Sequence, residues 1–149
     1  MLGAVRALLQ RVSEASVGAD GHVVGRIGPG LCALVGVGGQ DDESTADRLA
    51  LKIWQIRLFP DEAGNMNRSA AELGLAVLVI SQFTLYADTT RGRRPSFVQA
   101  GAPELARALV ERVVSQLQAA GATVATGRFG ATMQVRLVNE GPVTIMLET

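Results

Sequence analysis

Apolar and polar residues are arranged as three strands in the first quarter of the chain. The segments are VRALLQRVSEASV, GHVVGRIG and LCALVGVG, of which the third is a continuous apolar run typical of a buried strand. The sequences GADG and GPG that separate them have the composition of turns. The pattern therefore predicts three consecutive strands joined by short connections.

A helical period of 3.6 residues replaces this pattern in the segment DDESTADRLALKIWQIRLFP. Its apolar face is formed by Leu49, Ile53 and Ile56. Asp41 and Asp42 favour the positive end of the helix, and Pro60 is expected to stop it. The segment that follows, DEAGNMNRS, predicts turns.

The second half of the chain begins with LAVLVIS, a predicted buried central strand that ends in QFTLYAD. The segment TTRGRRPSF predicts a loop. A second helix is expected from Pro103 to Ala120, because proline suits a first helical position and Gly121 suits a C-terminal cap. Three further strands are predicted in TVATG, TMQVRLVN and VTIMLE.

The element order, roughly βββ-α-β-α-βββ, predicts an α+β fold in which two main helices pack on a mixed, barrel-like β-sheet layer. A chain of 149 residues without an internal repeat is expected to form a single domain over residues 1–149. A domain of this size buries about 68–70% of the surface that its unfolded chain exposes.

Charge and cysteine content narrow the expected partners and location. The 14 basic and 14 acidic residues give no global positive field, although a local basic patch is sufficient to bind nucleic acid. Cys32 is the single cysteine, which fits a reducing compartment. No apolar run approaches the about 20 residues that span a bilayer, and no secretory signal pattern opens the chain. We therefore expect a cytoplasmic protein with no membrane partner.

Several kinds of catalytic site are disfavoured by the residues present. His22 is the single histidine and stands in DGHVV, where an exposed turn is its ordinary environment. It is far in sequence from Cys32, so a zinc site is not expected. The glycine-rich segments GVGGQ and GRIGPG match neither a phosphate-binding loop nor a dinucleotide-binding fingerprint. We expect no metal and no cofactor.

Candidate chemistry is concentrated in SQFTLYAD, at the exit of the most apolar strand. Ser81, Gln82 and Thr84 place three hydrogen-bonding side chains within four residues. An extended backbone would place Gln82 and Thr84 on one face, with Ser81 and Phe83 on the other. A strand end that passes into an ordinary turn has the same composition.

The basic cluster RGRRPSF follows within a few residues. Arg91, Arg93 and Arg94 are suited to RNA phosphates, and an aromatic residue such as Phe97 can stack on a base. A solvated loop is the alternative interpretation of the same cluster.

Two motifs bear a specific resemblance to a known family. SQFTL at Ser81–Leu85 and NEGPVT at Asn139–Thr144 resemble the two signature motifs of D-aminoacyl-tRNA deacylases, the D-Tyr-tRNA deacylase type. Supporting matches run along the chain: QRVSEASV, MN, RRPSF and TGRFGATM. The similarity begins near Val5, which suggests that the first four residues are an extension or a misassigned start. The family usually has an acidic residue where Thr132 stands, and Asp where Glu140 stands.

The resemblance implies hydrolysis of the ester that joins a D-amino acid, or glycine, to the 3′-terminal adenosine of tRNA, as chiral proofreading in translation. It also implies a homodimer whose active sites form where the subunits meet. The motif around Asn139, with a cis bond between Gly141 and Pro142, would enter the partner's pocket and exclude L-amino acids through main-chain atoms. Such a corner explains why glycine and proline stand together between two strand-like segments, where neither suits a ladder position.

The resemblance further implies roles for individual residues. Backbone N–H groups near Phe83 and Thr84 would stabilise the oxyanion, and the adenosine 2′-hydroxyl would help to activate water. Thr84 as a covalent nucleophile is the alternative, but no base is visible beside it. Arg11 matches a family arginine near the Gly-Pro corner. Met133 and Phe129 would line the pocket, although core packing is an equally good explanation of both.

Two alternatives to this function stay open at the level of sequence. The first is a non-enzymatic nucleic-acid-binding module on the same scaffold. The second is an editor of tRNA mischarged with an L-amino acid, in which the bond before Pro142 is trans.

Overall fold

The structure, a computed structural model, describes residues 5–149 of the chain. The expectation that the first four residues are an extension lies outside the described residues. Within the described range the elements are, in chain order, β1 (Arg6–Ala19), β2 (His22–Ile27), β3 (Gly30–Gly36), α1 (Glu43–Gln55), β4 (Arg57–Pro60), β5 (Met66–Ser69), α2 (Ala70–Leu73), β6 (Ala76–Ser81), a 3₁₀ helix (Phe83–Tyr86), α3 (Pro103–Ala119), β7 (Val124–Thr126) and β8 (Met133–Glu148).

Strand β1 organises the main sheet because it has partners along both edges. On one edge its first half pairs with β3 and its second half with β2, both antiparallel. On the other edge β8 pairs with it almost from end to end. Strands β3, β6 and β7 continue the sheet in parallel, and β2 approaches β6 and β7. The mixed sheet therefore curls into a nearly closed barrel, which confirms the predicted α+β class.

Apolar residues form two cores, one on each side of the sheet. The first lies between the sheet and helices α1 and α3, and its fully buried members include Leu9, Leu31, Leu49, Ile53, Val113 and Leu117. The second fills the barrel and is formed by Val12, Ala15, Val17, Ile27, Cys32, Leu78 and Ile80. None of the helices within residues 5–149 is long and apolar enough to cross a bilayer.

Helix α1 begins where the sequence predicts but ends earlier. Asp42 is its N-cap, since the carboxylate accepts the N–H of Thr45 at 3.0 Å and the Thr45 hydroxyl accepts the N–H of Asp42. The helix ends at Gln55 because Ile56 has extended backbone, with φ −64° and ψ 138°. The prediction that it continues to Pro60 is therefore wrong.

A short hairpin occupies the segment that was expected to be the end of the helix and a turn. Strand β4 pairs with β5, and the Asp61 carboxylate accepts the N–H groups of Ala63 and Asn65 between them. The following residues form α2, which the sequence did not predict; Ser69 is its N-cap and accepts the N–H of Glu72. Local turn chemistry and strand pairing thus replace the last turn of the predicted helix.

Candidate functional site

The SQFTL segment leaves β6 and enters a 3₁₀ helix, and we call residues 82–86 the 82–86 turn. The N–H of Gln82 donates to the carbonyl of Val35 at 2.7 Å, which ties the turn to the end of β3. The prediction of an extended backbone at these residues is wrong. Gln82 and Thr84 are nevertheless neighbours, because the Gln82 side-chain amide donates to the Thr84 hydroxyl.

The first N–H groups of the 82–86 turn have no acceptor within the turn itself. Phe83 and Thr84 begin the 3₁₀ helix, so their N–H groups have no carbonyl partner within it. Gln82 precedes them without a capping side-chain hydrogen bond. Two main-chain donors at the start of a short helix can hold an oxyanion, as the sequence-based hypothesis requires.

A cavity of about 500 Å³ opens beside this turn. Its lining residues are all uncharged and include Ser81, Gln82, Phe83, Phe129, Met133 and Val135. Phe83 is 54% exposed and Val135 is 40% exposed, so the cavity has a large apolar wall. The structure therefore brings both predicted pocket residues, Phe129 and Met133, next to the SQFTL segment.

A second cavity of about 530 Å³ shares Ser81, Phe129 and Met133 with the first and extends beneath α3. Its lining also includes three charged residues, Arg107, Glu111 and Arg128. The guanidinium of Arg107 lies 4.6 Å from the centre of the Phe129 ring, a cation–π contact. The two cavities form an uncharged region next to a charged one.

The Gly-Pro motif lies in the middle of β8. The sequence predicted two strands here, whereas the structure has one strand of 16 residues that contains both segments. Opposite it on β1, Gln10 pairs with Thr144 and Val12 pairs with Asn139, so residues 140–143 face Arg11 alone. These four residues, which we call the corner, therefore project from the ladder. The bond between Gly141 and Pro142 is cis, and Gly141 has a φ of +120°.

Asn139 closes the base of the corner. Its amide nitrogen donates to the carbonyls of Arg11 and Val143 at 2.9 and 3.0 Å. Its amide oxygen accepts from the Thr144 hydroxyl at 3.0 Å and from the Gln10 amide at 3.4 Å. All of its hydrogen-bonding capacity is therefore used to hold the two ends of the corner together.

Arg11 supports the corner from β1. Its Nε donates to the carbonyl of Glu140 at 3.3 Å, and its Nη1 donates to the carbonyl of Leu58 in β4 at 2.7 Å. The guanidinium thus joins the corner to the β4–β5 hairpin through main-chain oxygens. Its position next to Gly141 agrees with the predicted supporting role, which stays a prediction until it is measured.

The corner and the cavity are separate parts of one chain. Glu140, Gly141 and Pro142 are exposed to solvent, and none of residues 139–143 lines either cavity. Two components that the sequence assigned to one site are therefore not brought together within a single copy of the chain.

The arginine cluster lies in an exposed loop, residues 89–95, which we call the arginine loop. Arg91, Arg93 and Arg94 are exposed, and the ion pairs of the described residues do not involve them. Asp88 and Ser96 exchange two backbone hydrogen bonds of 2.7 and 2.8 Å at the base of the loop. Phe97 packs edge-to-face on Phe83 with ring centroids 5.0 Å apart, so it contacts the 82–86 turn directly.

His22 and Cys32, which the sequence analysis disfavoured as catalytic residues, line neither of the two cavities. His22 begins β2 and is exposed, and Cys32 is buried in the barrel core. Burial raises the pKa of the Cys32 thiol to about 11, so the thiol stays protonated near neutral pH and is a poor nucleophile. Among residues 5–149 there is no group of three His, Cys, Asp or Glu side chains placed to hold a metal ion.

Sequence reasoning missed the residues that support the 82–86 turn from behind. Arg6 contacts Leu85 and Tyr86, and Gly36 leaves the space in which the turn packs. The glycine-rich segment GVGG was noted and compared only with ligand-binding loops. Its position after a buried strand was the signal for close packing of another backbone segment.

The chain is similar to known proteins over nearly its whole length. The family described as D-Tyr-tRNA(Tyr) deacylase matches residues 8–148. A D-aminoacyl-tRNA deacylase of Roseiflexus castenholzii is 56% identical over 145 residues, which cover 97% of this chain and 92% of that protein. A D-aminoacyl-tRNA deacylase of Thermomicrobium roseum is also 56% identical over 145 residues, covering 97% and 94% of the two chains.

Two solved structures share the fold. One, described as a c-Myc DNA unwinding element binding protein, superposes with a TM-score of 0.91 at 35% identity and covers 97% of this chain and 98% of its own. The other, described as a probable eukaryotic D-amino acid tRNA deacylase, has a TM-score of 0.87 at 17% identity, covering 98% of this chain and 100% of its own. The second similarity concerns the fold alone.

Proposed function

Because this chain belongs to the D-Tyr-tRNA(Tyr) deacylase family, whose enzymes hydrolyse the ester bond of D-aminoacyl-tRNA, we propose that two copies of it build each active site together. One copy supplies the 82–86 turn and the adjoining uncharged cavity. The other supplies the corner, which selects against L-amino acids. The separation of corner and cavity within one copy is the observation that carries this proposal.

An apolar surface next to the corner suits a homodimer interface. Leu8 on β1 is the cross-strand neighbour of Leu34 on β3 and of Met146 on β8. Met146 is a large apolar residue that is 47% exposed, on a strand whose one partner among the described residues is β1. The polar cluster of Gln10, Asn139 and Thr144 is continuous with this row and leads to the corner. A two-fold axis through this face would bury the row against its own copy and carry each corner to the partner's cavity.

The proposed chemistry uses the main chain and the substrate rather than a side-chain base. Water attacks the ester carbonyl carbon, and the N–H groups of Phe83 and Thr84 hold the resulting oxyanion. The bond from that carbon to the 3′-oxygen then breaks, and the proton that the attacking water gives up passes to the 3′-oxygen. The products are the free D-amino acid and tRNA with an intact 3′-hydroxyl. The neighbouring 2′-hydroxyl helps to activate the water. One oxyanion donor contributes about 10²–10³-fold to such a step.

Thr84 positions the substrate in this scheme and does not form an acyl-enzyme. A threonine hydroxyl needs an adjacent base to act as a nucleophile. Its neighbour is the side-chain amide of Gln82, which donates to it and has no proton-accepting nitrogen. His22, the single imidazole, begins β2 and is not among the residues that line either cavity.

The corner selects by its shape. The backbone of Gly141 and Pro142, fixed by Asn139 and Arg11, occupies the space into which an L side chain would point. A D side chain points elsewhere, and glycine has none, so the same site would also hydrolyse glycyl-tRNA formed by mischarging of tRNA-Ala. Rejection of this kind by fixed backbone adds several kcal/mol of selectivity without contributing to the chemical step.

The tRNA is the partner of this enzyme family, and the arginine loop is suited to its backbone near the 3′ end. The loop adjoins the 82–86 turn through the Phe83–Phe97 contact. Its three arginines are exposed and available to phosphates. We expect the proposed proofreading to take place in the cytoplasm, where tRNA is charged and used.

The test measures deacylation of D-Tyr-tRNA and L-Tyr-tRNA by the purified chain, with the oligomeric state determined by light scattering. We expect a dimer that hydrolyses the D-ester at least about 100-fold faster than the L-ester. Equal rates on the two enantiomers would show that the corner is only a structural bend. Faster hydrolysis of the L-ester would identify an editor of mischarged L-aminoacyl-tRNA.

A nucleic-acid-binding module without hydrolysis is the second candidate function. The 35% identity to a structure described as a DNA unwinding element binding protein favours it, as does the exposed arginine loop. Binding of uncharged tRNA and single-stranded DNA with similar affinity, together with an intact D-Tyr-tRNA ester after prolonged incubation, would establish this function instead.

A further inference from the structure

Arg6 is directed at the back of the 82–86 turn from the neighbouring strand β1. Its Nη1 donates to the carbonyl of Leu85 at 3.1 Å, and its guanidinium lies 4.3 Å from the centre of the Tyr86 ring. Its Nε is 3.6 Å from the Glu148 carboxylate on β8, which orients the guanidinium from the other side. One side chain therefore touches two consecutive residues of the turn and is itself held by β8.

Gly36 makes this arrangement possible because it is the cross-strand partner of Arg6 on β3. A Cβ at this position would lie 3.0 Å from the carbonyl oxygen of Gln82, 3.1 Å from the Cβ of Leu85 and 3.3 Å from the ring of Tyr86. These distances are tighter than ordinary carbon contacts, so any side chain at Gly36 would push the turn outward. The turn thus rests on the bare backbone of Gly36 and on the side chain of Arg6.

The neighbouring Gly38 completes the contact surface. A Cβ there would lie 2.9 Å from the Tyr86 hydroxyl oxygen, so Tyr86 also packs against main chain. The N–H of Gly38 donates to the Asp41 carboxylate at 2.6 Å, which fixes the segment after β3. Tyr86 is 2% exposed, which means that the turn is anchored by a buried ring rather than by its exposed residues.

We infer that Arg6 is a positioning residue for deacylation: with Gly36 and Gly38 it sets the height and orientation of the 82–86 turn, and so the direction of the Phe83 and Thr84 N–H groups. The inference rests on the proposed function, since those N–H groups matter only where an oxyanion forms between them. Arg6 itself contacts no reacting atom.

The chemistry of arginine fits this role better than that of lysine. Its planar group can donate to a carbonyl in its own plane while its face stacks on an aromatic ring, and it stays charged at every working pH. A lysine ammonium can make either contact but has no face to stack. A displacement of about 1 Å at a catalytic group can reduce a rate by about 10²-fold, so modest loosening of the turn is measurable.

The experiment compares kcat and KM on D-Tyr-tRNA for the full chain and its variants. Arg6→Met keeps the aliphatic stem but removes the donor and the charge. We expect kcat to fall about 10–100-fold while the KM for tRNA changes less than about twofold, because positioning affects the transition state and not tRNA binding. Arg6→Lys should recover part of the loss. Arg48→Met is the matched control and should equal the wild type, because among residues 5–149 the Arg48 side chain bonds only to Ser44, one turn earlier on α1.

A second variant changes the backbone support of the 82–86 turn. Gly36→Ala should also lower kcat at unchanged KM, and a double Arg6→Met, Tyr86→Leu variant should lose less than the product of the two single losses, since both residues act through one turn. Wild-type kcat in folded Arg6→Met, or a raised KM with unchanged kcat, would overturn this inference alone. Failure of the wild-type chain to hydrolyse D-Tyr-tRNA would overturn the proposed function, and this inference with it.

Discussion

The corner and the 82–86 turn present main chain in opposite ways. The corner projects into solvent, and its glycine and proline are exposed while side chains of Asn139 and Arg11 hold its base. The turn lies against the sheet, where its Tyr86 ring is buried and its support comes from Arg6 and from glycines that lack side chains. One segment projects from the sheet, and the other is held against it.

The difference assigns different duties to the two segments. A projecting piece of fixed backbone is suited to exclude a wrong substrate, because its effect depends on occupying space. A supported turn whose first two N–H groups have no acceptor within it is suited to stabilise developing charge, because its effect depends on distance and angle. Variants of the corner should therefore change the ratio of D to L activity, whereas variants of the turn should change the rate.

Gly141→Ala should give the largest change in selectivity. The added Cβ would lie 2.8 Å from Val143 Cγ2 and 3.1 Å from Arg11 Nη2, and the φ of +120° is unfavourable for alanine, so the corner must move. We expect the ratio of D-Tyr-tRNA to L-Tyr-tRNA hydrolysis to fall by about 100-fold or more, in a dimer that light scattering finds intact. Gly64→Ala, also at positive φ but with no atom within 4 Å of the added Cβ, is the control for strain alone. An unchanged ratio would show that the corner does not select between D- and L-amino acids.

Charge reversal in the arginine loop should change tRNA binding and neither selectivity nor rate, because the loop belongs neither to the corner nor to the 82–86 turn. In the triple variant Arg91→Glu, Arg93→Glu and Arg94→Glu we expect the KM for tRNA to rise about tenfold or more, and its dependence on salt to weaken. The D to L ratio and kcat should stay at their wild-type values. Filter binding at several salt concentrations provides the measurement. Equal affinity for tRNA at low salt in variant and wild type would mean that the arginine loop does not contact the tRNA.

Thr84→Val should give the smallest of these effects. The substitution removes the hydroxyl that accepts from Gln82 but keeps the N–H of the residue. We expect kcat to fall less than about tenfold, equivalent to about 1.4 kcal/mol, since only positioning is lost. Mass spectrometry of quenched wild-type reactions should detect no acylated peptide. Complete loss of turnover together with an adduct on Thr84 would transfer the chemistry from the main chain to that side chain.

The sequence predicted the components of the fold where local pattern and tertiary structure agree. The buried strands β3 and β6 and the helix α3 were visible because their apolar periodicity is strong and proline or glycine marks the helix ends. The end of α1 was missed because the amphipathic period continues into Ile56, while pairing with β5 draws Arg57–Pro60 into a strand. Tertiary pairing outweighs local preference in such short segments.

The candidate site was predicted in its members but not in its arrangement. Gly141 and Pro142 are unsuited to a strand interior, and the corner accommodates them by leaving the ladder between two paired segments of β8. The sequence did not predict the form of the 82–86 turn, because the two-residue alternation of strand β6 was assumed to continue through Gln82 and Thr84. The role of Arg6 required knowledge that it lies opposite Gly36, which is a matter of strand register that no local pattern contains.

Strand β8 has a consequence for the genetics of a two-copy enzyme. Its first residues, Met133 and Val135, line the cavity of its own copy, while the corner further along is proposed to enter the partner's cavity. Each site then combines one copy's turn with the other copy's corner. When a copy with a damaged turn assembles with a copy with a damaged corner, both defects fall in one site and the other site receives two sound parts. Two alleles that each fail in chiral quality control alone would then restore it together in a cell that carries both.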